Sequence, residues 1–132
     1  MKKERALYFA VGLGLLMAAE AQAIDFTPTG AVLSVTYKEP AVNKDGSALD
    51  DLDHTNVYFQ VGTNPEVKGA NIAATKAAGG GTITTSVTVP IPADAQANVT
   101  VSASATDSSG NESLRSTSVT KRIDRLAPAA PQ

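Results

Sequence analysis

The sequence predicts an all-β sandwich of about seven antiparallel strands, preceded by a signal peptide helix. Short runs of four to eight residues alternate apolar with polar side chains, and turn residues recur between them. Val and Thr, which suit a pleated and half-buried surface, dominate those runs. The third observation is the start of the chain, which carries a basic head, an apolar stretch and a small-residue end.

Residues 1–23 read as that leader. Lys2, Lys3 and Arg5 form the head, Ala6 to Ala19 the apolar run, and Ala21-Gln22-Ala23 the small-x-small pattern of a cleavage site. Cleavage is expected between Ala23 and Ile24. The apolar run is shorter than the roughly 20 residues a spanning helix needs, so no stable membrane span is expected after cleavage. Without the leader, the 11 basic and 13 acidic residues of the 132-residue chain fall to 8 and 11. That balance predicts an acidic exported protein, periplasmic or on the cell surface, with a bacterial style of leader.

Each strand follows from its alternation. In Ala31 to Lys38, Leu33, Val35 and Tyr37 share one face. From Asn56 to Val61, Val57, Phe59 and Val61 point one way and Tyr58 and Gln60 the other. Thr82 to Val89 aligns Ile83, Thr85, Val87 and Val89, and closes at Pro90 and Pro92, which cannot continue a ladder. Asn98 to Thr106 turns Val99, Val101, Ala103 and Ala105 inward. Leu114 to Ile123 carries Thr117, Val119, Lys121 and Ile123 on one side. The expected core is therefore Leu33, Val35, Val57, Phe59, Val61, Ile83, Val87, Val99, Val101, Val119 and Ile123. Val67 to Ala78 is Ala-rich, lacks a broad apolar stripe and is flanked by Gly69 and Gly79-Gly80-Gly81. It reads as a mobile loop or short irregular strand, with a single helical turn as the alternative. Residues 24–125 thus form the sandwich, and 126–132 a Pro/Ala-rich tail of linker composition.

Composition excludes several functions. The chain has no Cys, which removes disulfides, thiolate metal sites and Cys nucleophiles. A net charge of −2 offers no basic surface for a phosphate backbone, so nucleic acid is not expected as a partner.

Leu33-Ser34-Val35-Thr36 with Pro40, then Asn43-Lys44-Asp45-Gly46-Ser47, Leu49, Asp51-Leu52 and Val57-Tyr58-Phe59 resemble a bacterial fibronectin type III domain. Asp107-Ser108-Ser109-Gly110-Asn111-Glu112-Ser113 is similar to the turn between the last two strands of such domains. Val119 and Lys121-Arg122-Ile123-Asp124, followed by the Ala-Pro tail, look like the end of one module and its linker. The resemblance spans about residues 31–125 and implies an Ig-like β-sandwich. This chain departs from the family by carrying Val35, Thr55 and Val99 where large aromatics are usual. Losing even two of these large aromatics removes on the order of 300–500 Å² of buried apolar surface, which predicts a less stable module.

The polar segment Asn43 to His54 holds the candidate chemistry. His54 beside Asp50, Asp51 and Asp53 suggests a general base held by a carboxylate, yet no nucleophile elbow accompanies it. Asp45, Asp50, Asp51 and Asp53 are the candidates for a hard cation. The calcium-loop register fails, because it puts Ala41 at the first position and Leu52 at the twelfth. Asn43-Lys44-Asp45-Gly46 instead suits a tight turn in which Asp caps the backbone and Gly takes positive φ. The triplets at Asn98 and Asn111 match glycosylation acceptors, but Asn111 has a turn role. Gly79 to Gly81 lacks the Lys-Ser or Lys-Thr of a phosphate loop.

These readings expect no catalytic residues, no cofactor and no metal. The expected function is a non-catalytic exported binding or spacer module that presents loops and sheet faces to a protein or polysaccharide. The alternative is a subunit that self-assembles through edge strands or the C-terminal tail.

Overall fold

The computed structural model describes residues 6–9, 15–18, 24–27 and 30–132. Two antiparallel sheets face each other, and no helix occurs among the described residues. The strands are β1 (Ala6–Phe9), β2 (Leu15–Ala18), β3 (Ile24–Thr27), β4 (Gly30–Lys38), β5 (Leu52–Val61), β6 (Val67–Ala73), β7 (Thr82–Val89), β8 (Gln96–Asp107) and β9 (Val119–Asp124). One sheet runs β1-β2-β4-β3 with β7 on the other side of β4, and the second runs β6-β5-β8-β9.

Alternation in β4 and β7 gives the first sheet its inner face. Ala31, Leu33, Val35 and Tyr37 are buried, as are Ile83, Val87 and Val89, and β4 pairs with β7 from Ala31↔Val89 to Lys38↔Thr82. Opposite them stand Val57, Phe59, Val99, Val101, Ala103 and Ile123, with Val61 and Val119 partly buried at the margin. Ile91 follows β7 and is 1 % exposed, so it closes the core beyond the strand end.

The second sheet is covered on both faces over its centre. Tyr58 pairs with Ser102 and Asn56 with Ser104, and all four are buried although they lie opposite the apolar side. The cover is the segment between β8 and β9. Ser113 donates its backbone N–H to the Ala105 carbonyl at 2.8 Å, and Ser116 donates likewise to the Ala103 carbonyl at 2.8 Å. Their hydroxyls accept the Ala105 and Ala103 N–H groups in return, at 3.0 and 2.9 Å. Side-chain oxygens here replace ladder carbonyls, so the last strand begins at Val119 and not at Leu114, which is exposed.

One further expectation narrows to the irregular strand among its options, and one changes. The Val67–Ala78 segment supplies the edge strand β6, paired with β5 through a bulge at Val57/Tyr58, because Ala70 and Ile72 pack against the main core while Val67 and the remaining β6 positions are exposed. In the leader, the two described stretches are extended where a helix is expected. They pair from Ala6↔Ala18 to Phe9↔Leu15, and Met17 lies beside Tyr37 of β4. β3 covers only Gly30 to Leu33 on that side of β4, so the remaining backbone offers strand partners to an apolar segment. Ala23 lies outside the described residues, and Ile24 opens β3.

Candidate binding site at one pole of the sandwich

Three connections meet where β4 ends, β5 begins and β8 ends. The first carries a turn built as its residue types demand. Asn43 donates its N–H to the Ser47 carbonyl at 2.8 Å, and Gly46, with φ of 88°, donates to the Asn43 carbonyl at 2.9 Å. Asp45 Oδ1 accepts the Ser47 N–H at 2.9 Å and its hydroxyl at 2.6 Å. The β8 end carries a matching turn. Asp107 Oδ1 accepts the Ser109 and Asn111 N–H groups, both at 2.9 Å, and Oδ2 accepts the Asn111 side-chain amide at 2.9 Å. Ser108 then donates to the Asp51 carbonyl at 2.9 Å and ties the two connections together.

Between these turns lies a cleft of about 440 Å³. Its apolar wall comes from Pro40, Val42, Leu49, Leu52 and Ala105, of which Leu49, Leu52 and Ala105 form a small core separate from the main one. Its rim bears Lys44, Asp45, Asp107 and Glu112. Hydrogen bonds from Ser47 hold the Asp45 carboxyl below the usual range, and those from Asn111 do the same for Asp107. Glu112 is also lowered, chiefly by the Ser104 hydroxyl at 2.5 Å and then by the Tyr58 hydroxyl at 2.6 Å. Glu112 is also ion-paired with Arg115 at 3.3 Å, so the rim is mildly anionic at neutral pH, with Asp45 and Asp107 against Lys44.

Glu39 stiffens this pole from inside. Only 1 % exposed, it accepts the Thr75 N–H at 2.8 Å, the Thr75 hydroxyl at 2.5 Å and the Gly81 N–H at 3.0 Å. A Cβ on Gly81 would come within 2.3 Å of Thr75 Oγ1 and 2.9 Å of Glu39 Oε1, which accounts for a glycine there. Glu39 extends the odd-numbered inward register of Leu33, Val35 and Tyr37, and that continuation is the signal in the sequence that marks it as buried.

The candidate acids do not converge. His54 Nδ1 lies 2.7 Å from Asp53 Oδ2, while Asp45 is engaged in its own turn. Among the described residues, no three His, Asp or Glu side chains group as metal ligands. Asn98 and Asn111 are both exposed, the latter bound to Asp107. Gly79, with φ of 65°, donates to the Lys76 carbonyl at 2.9 Å and Gly80 to the Pro40 carbonyl at 3.0 Å, so this run serves as a tight connection to β7.

Among the described residues, no helix is long and apolar enough to cross a membrane. No protein-family model, curated protein or solved structure matches this chain.

Proposed function

We propose that this protein is a non-catalytic exported module of the fibronectin type III-like kind, which binds a protein or polysaccharide partner through its loops. The observation that carries the reading is the cleft at the β4–β5 pole, an apolar hollow between two turns locked by their own side chains. A pocket with an apolar wall and a few fixed polar groups is the usual form of a binding site, and rigid turns lower the ordering cost of binding. Seven antiparallel strands from Ile24 onward, in sheets of three and four, support the sandwich family on which the analogy rests. The acidic balance and the leader pattern support export to the periplasm or cell surface.

Peptide and oligosaccharide arrays probed with the exported protein test this. Val42→Lys, which puts a charge on the cleft wall, should abolish the positive signals while leaving the circular dichroism spectrum unchanged. Signals that survive Val42→Lys would remove the cleft from the function.

A further inference from the structure

We infer that the occupant of the cleft is the Leu126–Gln132 segment of a second copy of this chain, joined head to tail. The inference rests on the cleft being a binding site, as proposed above, and names its partner. Two features at opposite poles lack an internal counterpart. One is the apolar, acid-rimmed cleft. The other is the segment after β9, where Leu126 is 53 % exposed and the Ala-Pro residues that follow are exposed throughout.

Their positions exclude an intramolecular fit. Asp124 pairs with Gln96 at the start of β8, whereas Ala105 and Asp107, at its other end, line the cleft. The 12 residues of β8 span roughly 36 Å at about 3.3 Å each. Residues 126–132 reach at most about 25 Å when fully extended. The segment therefore falls short of its own cleft, and only another molecule can bring the two together.

Charge and shape favour the same pairing. Lys121 and Arg122 of β9 precede Leu126 against the single acid Asp124, whereas Arg125 donates to the Gly30 and Ile91 carbonyls at 3.0 and 2.7 Å, so a weakly cationic strand end leads into an apolar segment. The cleft presents the complement, an anionic rim around Leu49, Leu52 and Val42. A Pro-rich strand loses little conformational freedom on docking. Because the two surfaces differ and lie at opposite poles, the contact is heterologous and propagates into open chains of molecules.

Sedimentation velocity of the exported protein over a concentration series tests the inference, with isothermal titration of a synthetic peptide of residues 121–132 as the second measurement. We expect a ladder of species that grows with concentration and shrinks with salt. Leu126→Asp should weaken association by about tenfold or more, because a buried leucine is replaced by a charge facing an anionic rim. The peptide should bind the wild type, compete with assembly and fail to bind Val42→Lys. A monomer at every concentration that also ignores the peptide overturns the inference, as does association that persists in Leu126→Asp. A monomer whose cleft binds array ligands but not the peptide overturns the tail as occupant and leaves the binding function standing.

Discussion

The guanidinium carbon of Arg115 lies 3.5 Å from the ring centre of Tyr58. This stack buries Tyr58 to 7 % exposure on the face of β5 opposite Phe59, which is 5 % exposed. Both faces of the strand are thus closed, one by the core and the other by a bent segment. Arg115 is itself held by Glu66 at 3.1 Å and Glu112 at 3.3 Å.

Urea unfolding of alanine variants should separate the two faces. Phe59→Ala, which empties part of the main core, should cost about 3–5 kcal/mol. Tyr58→Ala should cost less, about 2–3 kcal/mol, through the lost stack and the hydroxyl bond to Glu112. In a double-mutant cycle, Tyr58 and Arg115 should couple by about 0.5–1 kcal/mol, as expected for a solvent-exposed guanidinium stacked on a ring. A Tyr58→Ala cost near zero would mean that the bent segment does not cover this face in solution.

Glu39 offers a second test. Glu39→Ala leaves the part-buried Thr75 and Gly81 amides without their carboxylate acceptor, at no more than about 1–3 kcal/mol for each. Amide hydrogen exchange should accelerate at those two positions more than in β4 or β7. Uniform acceleration across the sandwich would assign Glu39 to global stability and not to the connection before β7.

The alternating strands were legible because one buried face imposes a period of two, and β4 and β7 follow it from end to end. Three features were not. The cover over Tyr58 depends on Ser113 and Ser116 supplying hydroxyls in place of carbonyls, which breaks the alternation that a strand from Leu114 would need. The β6 edge faces water at Lys68 and Asn71, so its apolar pattern is thin and its Ala content suggests other structures. The cleft arises from the nearness of two turns more than 50 positions apart, Asn43–Ser47 and Asp107–Asn111. The Asx-Gly composition revealed each turn but not their proximity.

Alkaline titration should report on the core. Burial pushes the Tyr37 phenol up to about 12, against a smaller opposing effect of its 2.6 Å bond to Thr55. The folded state therefore keeps a proton that the unfolded chain releases near pH 10. Stability from this group is complete below about pH 10 and declines as pH rises towards 12. Tyr58 is raised too, mainly by burial, and acts in the same direction. Tyr37→Phe should flatten most of the decline in denaturant-midpoint measurements. An unchanged slope would show that Tyr37 ionises without regard to folding.

Acid titration has the opposite sign. Asp45, Asp107 and Glu112 are held below their ordinary values by hydrogen bonds, so the unfolded chain takes up protons first as pH falls. Their contribution is present above the ordinary carboxylate range and is lost as pH drops through the lowered values. Asn111→Ala removes one of the two donors that Asn111 offers Asp107, the side-chain amide, and keeps its backbone N–H. That variant should shift the Asp107 titration upward in carbon-detected NMR, and a stationary titration would detach the turn from the carboxylate.

The acids between Asn43 and His54 yield the last prediction. A calcium ion needs six to eight oxygen ligands. Here Asp45 serves the Ser47 backbone and hydroxyl, and Asp53 faces His54. A ligand that binds only the folded state must raise the melting temperature as it saturates. Excess Ca²⁺ should accordingly leave the melting temperature where it was. His54→Ala and the double variant Asp50→Asn with Asp51→Asn should each change stability by no more than about 0.5 kcal/mol, the usual range for surface positions. A Ca²⁺-dependent rise of several degrees that disappears in the Asp50/Asp51 variant would instead make this connection a metal-stabilised site, and the anionic pole would then recruit a cation before any polypeptide.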